Sequence, residues 1–385
     1  MIEIKGTMSG DTLTISLNGR IDSTNADDVE KQITEIREAN NYDKIIIDAQ
    51  KLDYISSAGL RIILRIRKEE ESLKIINVSS DVYEIFEMTG FSEMIPIEKA
   101  YRELSVEGCE VIGQGANGKV YRIDPETIIK VYKNPDALPE IKNERELART
   151  AFVLGIPTAI PYDVVRVGDG YGSVFELLNA KSFAKLIEEN PDETDKYIGL
   201  YIDLLNKIHS TEVKEGDMPN MKDVARDWAN FLVEYLPEGY GEKLVKVVED
   251  VPDSNYMMHG DYHIKNVMMQ GDEVLLIDMD TICVGDPIFE LASMFNAYVG
   301  FGSCSASNVE DFIGLPYDVT NYIWEKSLDM YTEGKSEEEK EEIKMKAELI
   351  GYARILRRTI RRDKDQELID FCTKQIVSIL DALEK

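Results

Sequence analysis

The stretch HGDYHIKN at residues 259–266 is followed by an apolar run, VLLI at 274–277, that leads directly to Asp278. Asp261 has the chemistry to accept a proton from a hydroxyl group, and Asn266 and Asp278 offer the hard oxygen ligands that Mg²⁺ prefers when it carries nucleotide phosphates. The alternative is that Asp261 only fixes a loop by hydrogen bonds and Asp278 only ends a strand. Taken as one set, these residues predict the phosphoryl-transfer site of an ATP-dependent kinase.

The spacing of these residues has a geometric reason. The segments VMM at 267–269 and VLLI at 274–277 are typical of two short strands joined by a polar turn. Counting outward from such a hairpin places Asn266 roughly opposite Asp278, so both side chains can reach one ion. Asp261 then lies on the loop that approaches the hairpin.

A second cluster is the Gly-rich segment GQGANGKV at 113–120, which fits the loop that covers ATP phosphates in kinases. The sequence after it alternates up to the turn Asp124-Pro125, so the pattern is strand, glycine turn, strand, whereas a dinucleotide fingerprint opens a helix. Glycines there let backbone N–H groups approach phosphate oxygens. An ordinary Gly-rich hairpin is the alternative. The candidate nucleotide-binding residues of this segment are Gly113, Gly115, Gly118 and Val120.

The next predicted strand, IIKVY at 128–132, carries one lysine in an apolar run, where an ammonium group is costly unless an anion meets it. Lys130 is therefore a candidate phosphate ligand. A helix predicted from about Pro139 to Leu154 places Glu144 on its inward, otherwise apolar stripe. A strand lysine paired with an inward helix glutamate is the arrangement by which kinases orient the α- and β-phosphates.

Residues from about 105 to 385 resemble the aminoglycoside phosphotransferase and choline kinase superfamily, through HGD with Asn266, through Asp278, and through GDP at 285–287 with ELA at 290–292. The resemblance implies a two-lobed, protein-kinase-like fold of α+β class. The implied antiparallel β small lobe spans about 105–178 and the mainly helical large lobe about 179–385. It also implies Asp261 as catalytic base, with Asn266 and Asp278 as magnesium ligands.

The same resemblance implies a hinge at the end of the strand over 172–178, where backbone groups near Glu176 and Leu178 would hold adenine. Whether the nucleotide is ATP or GTP stays open. Asp280 departs from the common family pattern, and it is a residue behind the metal ligands, an extra metal ligand or a turn residue. Three aromatic residues are candidates for a substrate wall, with helix packing as the alternative: Tyr322, Trp324 and Tyr352.

The first hundred residues predict a different module. Period-two alternation over 12–17, a helical stripe from near Thr24, and a buried strand over 44–48 are followed by a helix, a strand and a last helix that ends before Gly90. Strands that alternate with helices predict an α/β sandwich. We place this domain at residues 1–104 and the second domain at 105–385.

The segment DYISSAGL at 53–60 resembles the signature loop of STAS domains, the fold shared by anti-sigma factor antagonists and sulphate-transporter tails. By that resemblance Ser57 matches the regulatory phosphoserine, while Ser56 replaces the family's frequent aspartate. A helix N-cap alone would also explain a serine at this place. The resemblance implies that the module regulates the kinase or binds a protein partner.

Composition sets the remaining expectations. The chain has 385 residues, 43% hydrophobic content and a net charge of −29. Its charge argues against nucleic acid or anionic membrane as a partner, because phosphates would be repelled. It favours a cationic acceptor, unless it only maintains solubility. Without a long apolar run or a leader-like N-terminus, the cytoplasm is the expected location.

Three classes of function fit the sequence. The first is an ATP- and Mg²⁺-dependent kinase of a small molecule such as an aminoglycoside, an amino alcohol or a sugar. The second is a serine protein kinase or signalling switch that acts on Ser57 or on a partner. The third is a catalytically silent binding protein similar to an anti-sigma factor antagonist, which intact catalytic residues disfavour.

Overall fold

The computed structural model describes residues 2–115, 117–362 and 364–384, so Ala116 of the predicted Gly-rich loop lies outside the described residues. The chain divides into two compact units. The first comprises Met1–Glu107 and Val164–Asp169, and the second comprises Gly108–Asp163 and Gly170–Lys385. The domain limits at 104 and 105 stay a prediction.

The first unit is built on a five-stranded sheet in the order β1-β2-β3-β4-β5, in which β1 and β2 are antiparallel and the other neighbours are parallel. Its elements are β1 (Glu3–Ser9), β2 (Thr12–Ile21), α1 (Ala26–Glu38), β3 (Lys44–Ile55), α2 (Ser57–Glu69), β4 (Lys74–Val78), α3 (Ser80–Met88), α4 (Phe91–Met94) and β5 (Ile97–Lys99). Alternate residues of β2 and β3, including Ile15 and Ile47, are buried against Val29 and Ile33 of α1 within one core. The predicted α/β architecture is confirmed.

The signature segment at 53–60 is not a loop over its whole length. Asp53 to Ile55 complete β3, and α2 begins at Ser57. Only Ser56 lies between the strand and the helix. The strand is longer than the run at 44–48 because polar residues continue its pairing with β2 as far as Ile55.

The small lobe of the second unit consists of an antiparallel sheet and one long helix. Its elements are β6 (Glu110–Gln114), β7 (Gly118–Arg122), β8 (Thr127–Tyr132), α5 (Leu138–Val153) and β10 (Gly170–Glu176), while most of β9 (Asp163–Val167) is grouped with the first unit. Within the second unit β8 pairs with β7 on one side and with β10 on the other. The predicted helix is present, shifted by one residue, and it buries Ile141, Glu144 and Ala148.

The large lobe is mainly helical, as predicted. It contains β11 (Lys181–Ser182), α6 (Phe183–Glu189), α7 (Thr194–His209), α8 (Met221–Leu232), α9 (Tyr240–Asp250), β12 (Met257–Met258), β13 (Val267–Gln270), β14 (Glu273–Leu276), β15 (Cys283–Val284), α10 (Pro287–Tyr298), α11 (Ser307–Ile313), α12 (Tyr317–Tyr331), α13 (Glu337–Arg361) and α14 (Gln366–Leu383), with short 3-10 helices at Pro191–Glu193, Met279–Thr281 and Gly300–Gly302. Helix α10 is buried on nearly every side and packs against α12 and α13. This buried helix carries the residues that support the loop ahead of β13.

The aromatic candidates for a substrate wall separate into two groups. Trp324 and Tyr352 are buried and pack edge-on against Phe295, at centroid distances of 5.8 and 5.1 Å. Tyr322 is 47% exposed and donates a hydrogen bond to Asp195. Helix packing is therefore the role of Trp324 and Tyr352. No helix in the described part of the chain is long and apolar enough to span a membrane.

Candidate active site

Lys130 on β8 is the centre of an ionic cluster in the second unit. Its Nζ lies 3.0 Å from Glu144 Oε1 on α5 and 2.8 Å from Asp278 Oδ1, which follows β14. The lysine and glutamate side chains are 15% and 7% exposed, whereas Asp278 is 44% exposed. Burial alone would lower the pKa of Lys130, but the carboxylates of Asp278 and Glu144 raise it above its ordinary value. Two consecutive elements, β8 and α5, thus meet the distant residue Asp278 at one cation.

The buried glutamate of this cluster has a second partner. Tyr132 donates a hydrogen bond to Glu144 Oε2 at 2.6 Å and also lies 3.1 Å from the hydroxyl of Ser173. Burial and the adjacent carboxylate raise the pKa of Tyr132, so the phenol stays protonated and keeps donating. The carboxylate is held from two sides and presents Oε1 to Lys130.

Glu290 of α10 fixes the loop at 259–266 by hydrogen bonds to its backbone. This fully buried carboxylate accepts the backbone N–H groups of His259 at 2.5 Å and of Gly260 at 3.0 Å. Burial would raise the pKa of Glu290, but the neighbouring His209 and these N–H groups hold it below its usual range. Gly260 has a φ of 81°, and a Cβ there would collide with the carbonyl oxygen of Thr281, so glycine is required.

Asp261 follows this anchored pair and is partly accessible, with 39% of its side chain exposed. Its Oδ2 lies 3.5 Å from His263 Nε2. Burial would raise the pKa of Asp261, but His263, His259 and Arg354 together lower it, so the group is a carboxylate near neutral pH. An ionised, reachable carboxylate is what acceptance of a hydroxyl proton requires.

Asn266 and Asp278 have the chemistry of a magnesium site. The Nδ2 of Asn266 donates to the backbone carbonyl of Asp261 at 3.0 Å, which leaves the amide oxygen for a cation. The hairpin register puts Asn266 opposite Ile277, whose N–H donates to the Asn266 carbonyl, so Asp278 lies one residue beyond the counted position. Asp278 adopts a left-handed conformation, with φ at 62°.

The two oxygen ligands fit Mg²⁺ that is carried mainly by phosphates rather than by an all-protein cage. Among the described residues, no group of three or more His, Cys, Asp or Glu side chains is placed to hold a metal ion. Asp280 lies in the 3-10 helix that follows Asp278 and accepts a hydrogen bond from Asn117 at 2.9 Å. Burial and the nearby Asp278 raise the pKa of Asp280 to about 6.

The glycine turn joins β6 to β7. Gly113 pairs with Val120, and the Gly115 N–H donates to the Gly118 carbonyl at 3.0 Å. A Cβ on Gly118 would collide with the backbone carbonyl of Val131, so this position requires glycine for strand packing, while Gly115 faces open space. The cleft beside the turn is lined by Asn117, Tyr132, Glu140, Asn143, Glu144 and Asp280.

The predicted hinge lies at the end of β10. Leu177 donates its N–H to Glu126, which is the continuation of the pairing with β8. On the opposite edge of β10, the Val174 carbonyl accepts a hydrogen bond from the Tyr162 N–H. Glu176 lies two residues further along the strand, so its carbonyl faces the same edge. The Glu176 carbonyl and the Leu178 N–H have no hydrogen-bond partner among the described residues, so both are free to meet a ligand.

Ser57 lies in the first unit, at the start of α2. It is exposed and is the first residue of α2, while Ser56 occupies the N-cap position. Neither serine provides the cap, because the N-cap side chain makes no capping hydrogen bond and the Ser56 hydroxyl is buried without a partner among the described residues. Helix capping therefore does not explain the serine at 57.

Sequence reasoning missed several residues that shape the site. Tyr132 and Ser173 hold Glu144, and Asn117 holds Asp280. The role of Glu290 was also missed, although its segment follows Asp278 closely, and so was Arg354 of α13. Their partners are distant in sequence, and the only local signal was a charged residue inside an apolar helical stripe.

Comparison with known proteins gives one match for each unit. The sequence model of the Phosphotransferase enzyme family matches residues 108–307, which is more than half of the chain, and that of the STAS domain matches residues 3–104. A curated protein of Bordetella bronchiseptica, named "Putative anti-sigma factor antagonist BtrV", is 32% identical over 85 residues. The aligned part covers 21% of this chain and 72% of that protein.

Similar solved structures include aminoglycoside phosphotransferases. The gentamicin complex of APH(2")-IIa is 16% identical, with a TM-score of 0.46, covering 76% of this chain and 95% of that one. The GDP complex of wild-type aminoglycoside 2'-phosphotransferase-IIIa is 12% identical, with a TM-score of 0.49, covering 78% of this chain and 98% of that one.

Proposed function

The chain belongs to the phosphotransferase enzyme family and carries an N-terminal STAS domain, and from this premise we propose that it moves the γ-phosphoryl group of ATP to a hydroxyl group of a small molecule. The oxygen of the hydroxyl group forms a bond to the γ-phosphorus while the bond to the bridging oxygen of ADP breaks. The proton of the hydroxyl group passes to Asp261. Mg²⁺, held by Asn266 and Asp278 together with the phosphates, would neutralise charge on the nucleotide.

The observation that carries this proposal is the bridge that Lys130 makes between Glu144 and Asp278. A buried lysine held by one carboxylate and reaching toward a second, more exposed one is positioned to meet nucleotide phosphates. Little reorganisation is needed when the nucleotide binds, because the Lys130 ammonium group is already out of water and already points toward the phosphate site. Gly113, Gly115, Gly118 and Val120 would cover the phosphates.

Adenine is assigned to the hinge. The Glu176 carbonyl and the Leu178 N–H offer one acceptor and one donor on the same edge of β10, which suits a purine that presents a donor and an acceptor side by side. The nucleotide complexes of the similar solved structures include ADP and GDP. Competition between ATP and GTP for turnover distinguishes the two nucleotides.

The acceptor is a molecule that bears a hydroxyl group. Taken by itself, the negative net charge of the whole chain favours a cationic acceptor such as an aminoglycoside or an amino alcohol. Arg354, whose charge acts on Asp261 at shorter range, favours an anionic group on the acceptor instead. Turnover of amino alcohols, neutral sugars and hydroxy acids decides between the two.

The first experiment follows the γ-phosphoryl group of labelled Mg-ATP by mass spectrometry, with aminoglycosides, amino alcohols, sugars and hydroxy acids as acceptors. We expect label on a small molecule in the wild-type chain and a large loss in the Asp261→Asn variant with nucleotide affinity retained. Transfer that continues unchanged in Asp261→Asn would exclude Asp261 as the base. Absence of any transfer or hydrolysis would favour a silent binding protein.

Ser57 supports a second candidate, a signalling switch. Its hydroxyl is exposed at the start of α2, and helix capping does not account for it. A phosphate there would lie at the positive end of the helix and add charge to the surface that a protein partner of the STAS domain would meet. Label on Ser57 in the same experiment, absent from Ser57→Ala, would support self-modification. Absence of label on Ser57 would rule out self-modification at this residue.

A further inference from the structure

The C-terminal half of α13 carries four arginines that we call the arginine row: Arg354, Arg357, Arg358 and Arg361. Spacings of three and four residues place them along neighbouring parts of one helix surface. Among the described residues, none of the four has a carboxylate oxygen within 4.0 Å. Elsewhere in this strongly acidic chain, Arg226 holds both Asp223 and Glu249.

Aromatic rings take the place of carboxylates around the arginine row. The guanidinium carbon of Arg354 lies 5.5 Å from the ring centre of Trp228. Arg357 lies 5.9 Å from Phe231, and Arg358 lies 5.4 Å from Phe301. An arginine over a ring covers one face of the guanidinium group and leaves the N–H groups at its edge free for oxygen acceptors.

The arginine row begins beside the candidate base. Arg354 Nη1 donates to the Ser293 hydroxyl at 3.1 Å, and that hydroxyl donates to the Gly260 carbonyl at 3.0 Å. Gly260 precedes Asp261 directly, and the Arg354 charge is one of the groups that lower the pKa of Asp261. The first arginine is therefore two hydrogen bonds from the loop that carries Asp261.

Ordinary structural roles account for part of the row. Arg354 faces the carboxylates of Asp261 and Glu290 at longer range, and Arg358 and Arg361 lie in the last turn, where the helix dipole favours cations. Arg357 lies before the last turn, and the carboxylate that acts on it, that of Asp227, does so only at longer range. Its Nε is buried without a hydrogen-bond partner among the described residues, which neither explanation accounts for. A buried donor without an acceptor is costly, and a ligand oxygen would satisfy it.

Resting on the function proposed above, we infer that the phosphoryl acceptor carries an anionic oxygen group, a carboxylate or a phosphate, besides its hydroxyl group. The arginine row holds this anionic group through Arg354 and Arg357, and the hydroxyl group faces Asp261. Arginine suits this task because its planar fork binds two oxygens of a carboxylate or phosphate at once. The local charge of the acceptor site is thus opposite to that of the whole chain.

The test measures anion binding independently of turnover. The full chain is saturated with Mg²⁺ and a non-hydrolysable ATP analogue, so that the nucleotide site is filled, and is titrated by calorimetry with inorganic phosphate, citrate or choline. We expect saturable binding of phosphate or citrate and none of choline. Affinity for the anion should fall about tenfold in Arg357→Gln, the loss typical of one charge-assisted hydrogen bond, and recover in part in Arg357→Lys.

The matched control is Arg226→Gln, because Arg226 is an arginine on α8 that already has carboxylate partners. Its anion affinity should equal that of the wild type. Tryptophan fluorescence verifies that each variant is folded, since both tryptophans, Trp228 and Trp324, lie in the second unit. Absence of saturable anion binding, or equal affinity in Arg357→Gln and Arg226→Gln, would overturn the inference.

Turnover separates the failure of this inference from the failure of the proposed function. Glycerate and glycerol 3-phosphate are compared with their uncharged counterparts, glyceramide and glycerol, and with the cationic ethanolamine. Higher kcat/KM for the uncharged or cationic molecules would overturn the anionic acceptor and leave the phosphotransferase intact. Loss of all transfer that depends on Asp261, with the anion still bound, would instead remove the proposed function and leave an anion-binding site.

Discussion

Lys130 and Arg357 are both partly buried cations of the second unit, yet their surroundings are opposite. Lys130 touches two carboxylates at 2.8 and 3.0 Å, whereas Arg357 lies over the ring of Phe231 with a buried Nε that has no acceptor among the described residues. The first cation is positioned before any ligand arrives. The second has donors that a ligand would complete.

These two sites show two uses of positive charge in one acidic protein. A cation with protein carboxylates on two sides is held in place and adds electrostatic stabilisation at little cost in reorganisation. A cation stacked on an aromatic ring without an acceptor keeps its hydrogen bonds for another molecule. Nucleotide binding is thus expected at Lys130, and acceptor recognition at the arginine row.

The largest effect is expected at Asp278, the more exposed of the two carboxylates on Lys130. Asp278→Ala removes a proposed Mg²⁺ ligand, so phosphoryl transfer should fall by about 10³-fold or more. Calorimetry of ADP with and without Mg²⁺ should show that the metal no longer increases affinity. Asp272→Ala, at the exposed tip of the same hairpin, is the control. Unchanged metal-linked affinity in Asp278→Ala would refute the metal assignment.

Lys130 itself is expected to have the next largest effect. Lys130→Met keeps the length of the side chain but removes its charge, and kcat should fall by about 10²-fold because a single electrostatic contact to the phosphates is lost. Acceptor KM should change little, in contrast to Arg357→Gln, which should raise acceptor KM and spare nucleotide affinity. Lys185→Met, which changes an exposed lysine of α6, is the control. If Lys130→Met instead raised acceptor KM and Arg357→Gln instead lowered kcat, the assignment of the two sites would be wrong.

Glu290 tests whether the loop of Asp261 depends on a buried anion. Glu290→Ala leaves two buried backbone N–H groups, those of His259 and Gly260, without acceptors, so the free energy of unfolding of the second unit should fall by about 3 kcal/mol. Denaturant unfolding followed by tryptophan fluorescence measures this, since both tryptophans lie in that unit. Ser293→Ala should cost less, because the hydroxyl group that it removes is uncharged and bonds only one backbone group of this loop, the Gly260 carbonyl.

The effect of Glu290→Ala on the free energy of unfolding should depend on pH. Because the folded pKa of Glu290 lies below its ordinary value of 4.5, its contribution to stability is fully present above about pH 4.5 and is lost as pH falls through the folded pKa. The difference in unfolding free energy between the wild type and Glu290→Ala should therefore narrow in acid. A difference that stays constant or widens toward low pH would contradict the carboxylate's assigned role.

The smallest effect is expected at Tyr132, which holds Glu144 rather than any ligand. Tyr132→Phe removes its hydrogen bonds to Glu144 and Ser173, and the free energy of unfolding should fall by about 1 kcal/mol. Turnover should stay within a few-fold of the wild type, because Lys130 still orients the carboxylate. Tyr121→Phe on the adjacent strand is the control. A loss of turnover as large as in Lys130→Met would assign Tyr132 a direct role.

Much of the fold followed from local patterns. Period-two alternation over 12–17 predicted the start of β2, which continues to Ile21, and the apolar stripe around Glu144 predicted a helix within one residue of its observed limits, because side-chain periodicity directly reflects which face is buried. Counting residues along a strand was less accurate, because the result depends on local backbone geometry that the sequence pattern does not show. Asn266 pairs with Ile277 rather than Asp278, and the signature segment at 53–60 continues β3 instead of opening a loop.

The sequence by itself determined the division into an α/β module and a kinase-like module, and it determined the chemical types at the site, since Lys130, Glu144, Asp261, Asn266 and Asp278 were each identified from pattern and spacing. Which of these groups meet was decided by the tertiary structure. It brought Glu290 into contact with the loop that carries Asp261 and linked Arg354 to the same loop through Ser293. The physical reason is that these contacts join residues separated by tens of positions along the chain, and packing between helices rather than local periodicity decides which such residues touch.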